Sequence, residues 1–593
     1  MRGKIDLPLG PGDSMSMSTR LRTPFPKIDS SRQRDFKMLR PANVIAALLC
    51  LPCMSALGAQ TIRLDLAQTD QQVLGFGGQI WAGDARGHTA LVEIDARFAR
   101  LQHGVNFFTF PTQPPTDSNL LAGDNFSDMK SYIGANFNGP GGSEPWHLPS
   151  IKNTQTWANA NGVALIVNEF QIAYGFLNSG HTQMETSRLD DYATFWAAML
   201  SYLGDNNVHP SYIELANEPN GTWNGRITST DYNTLVKQTR SVLDAHGFTD
   251  VGILGPGVNV LGEVSWINAL DGNGVESLAG WSTHTWDDNL GIDARAGLFQ
   301  SAVDAKDPDK PVFITEYATS LTEFNGVNYG SPESGGDAAD QPEFAVQVVK
   351  NTLSLINNGA SALLVWEAAD QSWSSKRWGL KRLDGTDRPA LNAIKSFLDL
   401  LPDNAIALEQ TWNDPEITAA GFIKDGELIV ALANTLNAAK SRTLELANAS
   451  GVLQFDRGLQ YSDGVVTPVT YAVSENSVSL QLPAASTQTL VFKILAPIPG
   501  DFDLDGAVGG NDISHWLAGY GMSSGAGFGD GDADNDGDVD GFDLLLWQRH
   551  FGISLTIQAA TASVPEPGLG WPVTVAALAF SGRFGSMATI FRR

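Results

Sequence analysis

Between residues 60 and 401 the chain alternates short apolar runs with stretches of helical spacing, and no other feature limits its fold as strongly. Eight runs read as strands: Gly75–Trp81, Val105–Phe110, Val163–Phe170, Tyr212–Asn217, Val251–Val258, Gly280–Trp286, Pro311–Tyr317 and Ala362–Trp366. Helical patterns such as Leu189–Leu203, Asp231–His246 and Glu343–Asn358 separate several of them. Strand–helix alternation implies parallel pairing, and eight such units in roughly 300 residues match a closed (β/α)8 TIM barrel. An open doubly wound sheet is the competing arrangement. It would carry a Gly-rich phosphate turn opening a helix, whereas Gly75-Phe76-Gly77-Gly78 runs on into Gln79-Ile80-Trp81.

The helical period stops near Pro402. Ile417–Ile423, Glu427–Ala433, Arg442–Leu446, Val478–Leu482 and Thr487–Ile494 follow as strand-like runs divided by turns such as Lys424-Asp425-Gly426. These predict an antiparallel β-sandwich over 402–495, which the strand-like Thr61–Leu66, in the stretch 60–74, is placed to join. Ala496-Pro497-Ile498-Pro499-Gly500 then reads as a stiff linker over 496–500. Residues 501–552 hold an internal repeat with an offset of 31 residues, an Asp-rich loop followed each time by a short apolar helix.

Composition limits the partners. Thirty-eight basic against 65 acidic residues give a net charge of −27 in a chain of 593 residues. A nucleic-acid binder needs a basic footprint, so that class is excluded. Fifteen Trp and 60 Gly are compatible with an aromatic-lined carbohydrate site. Arg32, Arg34, Lys37 and Arg40 precede the apolar stretch Ala42–Leu57, which ends in Ala56, Gly58 and Ala59. That is the order of a secretory signal peptide, making 1–59 a leader. The only two cysteines, Cys50 and Cys53, lie within it, so cleavage leaves a cysteine-free exported chain.

The chemistry-bearing motif is Glu214-Leu215-Ala216-Asn217-Glu218-Pro219-Asn220, ending the fourth predicted strand. Its partner, Val312-Phe313-Ile314-Thr315-Glu316-Tyr317, ends the seventh. Strand C-termini of a TIM barrel face one mouth. Glu218 and Glu316, 98 positions apart, therefore converge. Glycosidic cleavage needs such a pair, one group protonating the leaving oxygen and the other attacking or activating water. Trp81, Trp286 and Trp366 end strands one, six and eight, where aromatic faces can stack on sugars, and Asn168 ends strand three.

Asn217-Glu218-Pro219, the strand-seven Glu316 and Gly75-Phe76-Gly77-Gly78 resemble the clan A glycoside hydrolases. The strand before the barrel and the sandwich after it resemble family 30 and its relatives, over roughly 60–495. The resemblance implies a retaining hydrolase of β-linked polysaccharide glycans, with Glu218 as acid/base, Glu316 as nucleophile and Asn217 on the sugar 2-hydroxyl. His284-Thr285-Trp286 stands where the clan often has His-x-Tyr. The clan's arginine near the end of strand two has no counterpart in Asn106–Phe110, which leaves the nucleophile's charge partner unassigned. A transglycosylase with the same pair and a non-catalytic glycan-binding surface protein are the rival readings; the presence of both glutamates speaks against the second.

In the repeat, Asp501, Asp503, Asp505 and Asp512 hold positions 1, 3, 5 and 12 of one loop, and Asp532, Asp534, Asp536 and Asp543 those of the other. Gly506 and Gly537 stand at position 6, and Asp538 and Asp540 add to the second loop. This is the pattern of an EF-hand-like Ca²⁺ loop. A single helix after each loop resembles a type I dockerin, which implies a cohesin-like protein partner or an internal stabilising module. Val564-Pro565-Glu566-Pro567, an apolar stretch to Phe580 and terminal arginines resemble a PEP-CTERM sorting tail over 553–593. Leader and tail together imply an exported protein, extracellular or held at the cell envelope.

Overall fold

The computed structural model describes residues 60–101, 126–138, 147–169, 172–222, 225–286, 291–410, 414–447, 451–474 and 476–555. The predicted leader, and the sorting tail from 556 onward, lie outside them. Eight parallel strands close into a barrel in chain order: Gly75–Ile80, Phe98–Leu101, Ala164–Asn168, Tyr212–Glu214, Gly252–Val258, Gly280–Thr285, Val312–Tyr317 and Ala360–Val365. Almost every strand residue is buried, because helices cover the outside and side chains fill the inside. That double burial is why the strands read as continuous apolar runs. The second strand corrects the sequence reading. It is Phe98–Leu101, directly after the helix Ala85–Glu93, and the predicted run Val105–Phe110 lies outside the described residues.

Side chains alternate along each strand. Phe98, Ala164, Ile166, Leu254, Phe313, Ala362 and Leu364 form the apolar layer inside the barrel. Ala99, Leu101, Leu165, Val167 and Ile314 point outward into the helix-packed core. Strand one approaches its neighbour too closely for a side chain: a Cβ on Gly77 would stand 2.0 Å from the Phe98 carbonyl oxygen. The Gly-rich first strand is thus a packing requirement of the closed sheet.

Two further sheets make the sandwich. One has four strands, in the order Gln60–Asp65, Lys440–Ala447, Ser477–Leu482, Val473–Ser474. The other has seven: Val465–Pro468, Val452–Ser462, Ser486–Leu495, Glu427–Asn434, Thr418–Lys424, Ile406–Leu408 and Thr69–Gln72. Residues 60–72 therefore belong to the sandwich. Gln60–Asp65 pairs in parallel with Lys440–Ala447, so the sandwich is mixed rather than wholly antiparallel. Glu427–Asn434 shows how it joins the barrel. Leu428, Val430 and Leu432 enter the sandwich core, while Ile429, Ala431 and Ala433 face the barrel's core. The helix Pro342–Ile356 lies in that junction and is buried from Phe344 onward, all round its axis.

The repeat forms two loop–helix units, with helices Asp512–Gly519 and Gly541–His550. Each helix lends its Trp to the other unit: Trp516 Nε1 donates to Asp540 O at 2.8 Å and Trp547 Nε1 to Gly509 O at 3.0 Å. Phe502, Trp516, Ala533 and Val539 make a small core of their own. No helix among the described residues is long and apolar enough to cross a membrane.

Candidate active site

One level above the apolar barrel layer, toward the strand C-termini, the inward positions turn polar. Arg100 takes this position on strand two and is wholly buried. Its Nε donates to Glu214 Oε2 at 2.7 Å, and Nη2 donates to Asn217 Oδ1 at 2.7 Å. Nη1 donates to Gln79 Oε1 at 3.1 Å and also to Glu316 Oε1. One guanidinium, a rigid fork of five donors, thus fixes groups from strands one, four and seven and from the turn after strand four. Arg100 is thus a charge partner of Glu316, which the sequence left unassigned.

Glu316 reaches the centre through a bulge. Thr283 pairs with Ile314 but His284 pairs with Glu316, so strand seven carries one extra residue there. Thr315 and Glu316 can then both face inward, as bulges beside active sites allow. Thr315 Oγ1 donates to Glu214 Oε1 at 2.8 Å, completing the support of that carboxylate.

Glu218 follows strand four with φ of +49°, in the left-handed region. Its N–H donates to Gly257 O at 3.2 Å. Its Oε1 lies 3.2 Å from His284 Nδ1, and that nitrogen stands 3.7 Å from Glu316 Oε2. Glu218, His284 and Glu316 each bring one such atom within 4.8 Å of the others. The Glu316 side chain is only 4% exposed and that of Glu218 12%, so Glu218 is the carboxyl more open to the mouth.

Burial opposes ionisation of Glu214, but the Arg100 and His284 charges and the Thr315 hydroxyl outweigh it and hold its pKa below the ordinary carboxylate value. Burial pushes Glu316 the other way, above its ordinary value; His284 and Arg100 resist and Glu218 reinforces. Burial also works against a charged His284, yet Glu316 and Glu218 hold the imidazole's pKa above its usual value. The cluster therefore divides its protons unequally. Glu214 is the counter-charge of Arg100, while His284 and Glu316 are both shifted toward holding a proton.

The predicted aromatic residues gather at the same end. Trp286 packs edge-on against Trp366 and Trp378, with ring centroids 5.7 and 5.4 Å apart. Trp81 donates to Glu367 Oε2 at 2.8 Å and meets the exposed Trp373 edge-on at 4.7 Å. Asn168 is fully buried; neither of its amide atoms has a hydrogen-bond partner among the described residues, and the same holds for His284 Nε2 and Trp366 Nε1. Buried polar atoms without partners are costly, so each of these positions calls for a partner that the described residues do not supply. Sequence reasoning missed Arg100, Glu214, Gln79 and Trp378. The signal for Arg100 was a charge in the apolar run Phe98–Leu101, which begins five residues beyond the end of the helix Ala85–Glu93.

In the repeat, Asp501, Asp503 and Asp512 bring one oxygen each within 4.8 Å of one another, as do Asp532, Asp534 and Asp536, and again Asp538, Asp540 and Asp543. Asp505 accepts from the Ala507 N–H at 2.8 Å, and Asp540 caps its helix through the Phe542 N–H at 2.6 Å. Asp501 is fully buried, and its Oδ1 has no hydrogen-bond partner among the described residues. Burial and then the Asp512 and Asp505 charges push its pKa up to about 7. An unpartnered buried carboxylate oxygen among other carboxylates is the donor set a hard divalent cation takes, so the residues present fit Ca²⁺.

No family model and no curated protein matches the chain. Solved structures share its fold. A glycoside hydrolase family 30 subfamily 8 xylanase from Clostridium acetobutylicum superposes with a TM-score of 0.52 at 14% identity, over 73% of this chain and 99% of that one. A family 30 endoxylanase from Clostridium papyrosolvens gives 0.54 at 15%, over 73% and 100%. An endo-β1,6-glucanase gives 0.50 at 16%, over 74% and 96%. At these identities the likeness establishes the fold.

Proposed function

We propose that the chain is a secreted retaining glycoside hydrolase that cleaves β-linked glycans of a polysaccharide by double displacement. The observation that carries this reading is the convergence of Glu218 and Glu316, with oxygens within 4.8 Å and Arg100 bonded to Glu316. Retaining enzymes hold their carboxyls ~5–5.5 Å apart, whereas inverting ones leave ~6.5–9.5 Å for a water, so the spacing favours retention. The xylanase and glucanase neighbours add support for a β-linked glycan.

In the first step Glu316 Oε2 attacks the anomeric carbon as Glu218 gives its proton to the leaving oxygen; the glycosidic bond breaks and a glycosyl ester forms. Arg100 on Oε1 aligns the nucleophile and favours its ionised form against the effect of burial. Glu218, now a carboxylate, takes a proton from water, whose oxygen displaces Glu316. His284, in reach of both carboxyls, steadies the proton's position. Asn217, its amide oxygen held by Arg100, lies beside the sugar 2-hydroxyl in this reading.

The test is a pair of variants. Glu316→Ala should abolish hydrolysis. Glu218→Ala should lose it on unactivated glycans but still form the glycosyl-enzyme from aryl glycosides with good leaving groups, with azide restoring turnover. Full activity of Glu316→Ala on a natural glycan would sink the assignment. The Asp loops are proposed to bind two structural Ca²⁺ ions and to present a cohesin-type protein with a docking module. Export to the envelope or beyond is proposed on the leader and tail sequences.

A further inference from the structure

Glu169 follows strand three directly and is fully buried, and the mechanism above does not use it. Its Oε1 accepts the Ala173 N–H at 3.1 Å. Its Oε2 meets Tyr192 Oη, on the helix Leu189–Asp205, in a short hydrogen bond. The same Tyr192 Oη stands 2.6 Å from the Leu215 carbonyl oxygen. Tyr192 owns one hydrogen and faces two acceptors. An ionised Glu169 would leave one of these buried contacts as oxygen against oxygen with no hydrogen between. A protonated Glu169 resolves both: Oε2–H donates to Tyr192 Oη, and Tyr192 donates to Leu215 O.

Leu215 stands two residues before Asn217, and the Asn217 N–H donates to the Glu169 carbonyl oxygen at 2.9 Å. The exit of strand four is therefore pinned at two points by residue 169, once through its backbone and once through its carboxyl and Tyr192. From this exit project Asn217, on Arg100, and Glu218, in its left-handed conformation. We propose that Glu169 is a positioning residue that carries a proton at neutral pH, and that the chain Glu169–Tyr192–Leu215 aims the Asn217–Glu218 turn. This rests on the glycosidase reading for its kinetic consequence, but not for the proton itself.

The surroundings agree. Burial dominates and pushes the Glu169 carboxyl up to about 8, with the Tyr192 hydroxyl and Ala173 N–H opposing. Burial and then Glu169 push Tyr192 far above its ordinary value. Tyr232 is the further titratable group that acts on Tyr192, and Glu214 in turn acts on Tyr232. Neither offers Glu169 a cation. Loss of the Glu169 proton in alkali thus places a bare carboxylate in the pinned region and loosens the turn.

Glu169→Gln is the decisive variant. The amide keeps an acceptor for Ala173 and a donor for Tyr192, and it cannot ionise. Wild type and variant are compared by infrared difference spectroscopy between neutral and alkaline pH, and by kcat and KM across the same range. The expected result is a protonated-carboxyl band that is lost in alkali in wild type and missing from the variant. Its kcat at neutral pH should stay within about threefold of wild type and hold further into alkali. Glu169→Ala and Tyr192→Phe should lower kcat by about tenfold or more, the usual scale for a misplaced catalytic group, with little change in KM. An unchanged infrared difference in Glu169→Gln would overturn the proposal, as would wild-type kcat in a folded Glu169→Ala. A wild type that hydrolyses no glycan would instead defeat the glycosidase reading, leaving the infrared comparison to decide where the proton sits.

Discussion

Replacing Arg100 by Met puts the site's electrostatics to the strictest test. The substitution keeps volume and apolar stem but removes the cation that meets Glu214, Glu316, Asn217 and Gln79 in a fully buried centre. Breaking a buried ion pair by deleting one partner costs about 3–5 kcal/mol, because the other charge stays buried and unpaired. Here two carboxylates are orphaned, so the loss should sit at the upper end of that range, limited by protonation of one of them. Glu316 is already pushed up by burial with Arg100 present. Without Arg100 its pKa should rise further, so less of the Glu316 carboxyl is ionised at the working pH. Removing a preorganised electrostatic partner of a reacting group lowers kcat by roughly 10²–10³, the loss expected here.

Denaturant unfolding measures the first quantity and aryl-glycoside turnover the second. The double variant Arg100→Met/Glu214→Gln separates them. Removing the Glu214 charge should recover part of the lost stability, yet leave kcat as low as in Arg100→Met, since Glu316 still lacks its cation. Arg100→Lys should also fail to restore turnover, because one ammonium cannot serve four acceptors spread over a guanidinium's fork. A well-folded Arg100→Met with kcat within about threefold of wild type would refute the reasoning, since a charge partner of the nucleophile has to cost more than that.

Three further outcomes follow from the same structure. Gly77→Ala should leave little soluble protein on expression, because its Cβ would enter the Phe98 carbonyl and overpacking alone costs about 1–3 kcal/mol. Chelation of calcium should raise protease cleavage within 501–552 while glycan hydrolysis stays near its starting rate; an isolated 497–555 fragment whose circular dichroism ignores millimolar Ca²⁺ would contradict this. In the cation-free repeat, folding holds the Asp501 proton from its ordinary 3.8 up to about 7. The folded form then binds more protons than the unfolded one across that window, so thermal stability should fall as pH rises through it, and Ca²⁺ should flatten the slope.

The barrel was legible where strands do nothing but pack. Seven of its strands lie within a few residues of the runs read from sequence, because burial on both faces writes an apolar word into each. Strand two was missed for the converse reason. Its inward position above Phe98 is Arg100, and the charge breaks the run, so the more apolar Val105–Phe110 stood out instead. Val452–Ser462 escaped in the same way: a bulge between Phe455 and Arg457 interrupts its alternation, and Gln454, Asp456 and Gln460 dilute it. Glu218 and Glu316 were legible because the Asn-Glu-Pro motif and a strand-end position mark them locally.

Arg100 and Glu214 carry no local mark, since each is tolerable only because of the other. A buried arginine needs carboxylates, and a buried Glu214 needs the arginine; they meet across 114 residues of chain. Glu316 joins them across 216. Neighbouring residues in sequence cannot announce a charge balance that closure of the barrel alone completes. The same holds for Glu169, whose ordinary strand-end position becomes informative only once Tyr192 and Leu215 are seen to compete for one hydrogen. The two converging carboxyls can thus be found from their motif, but their ionisation states depend on partners that only the folded chain brings together.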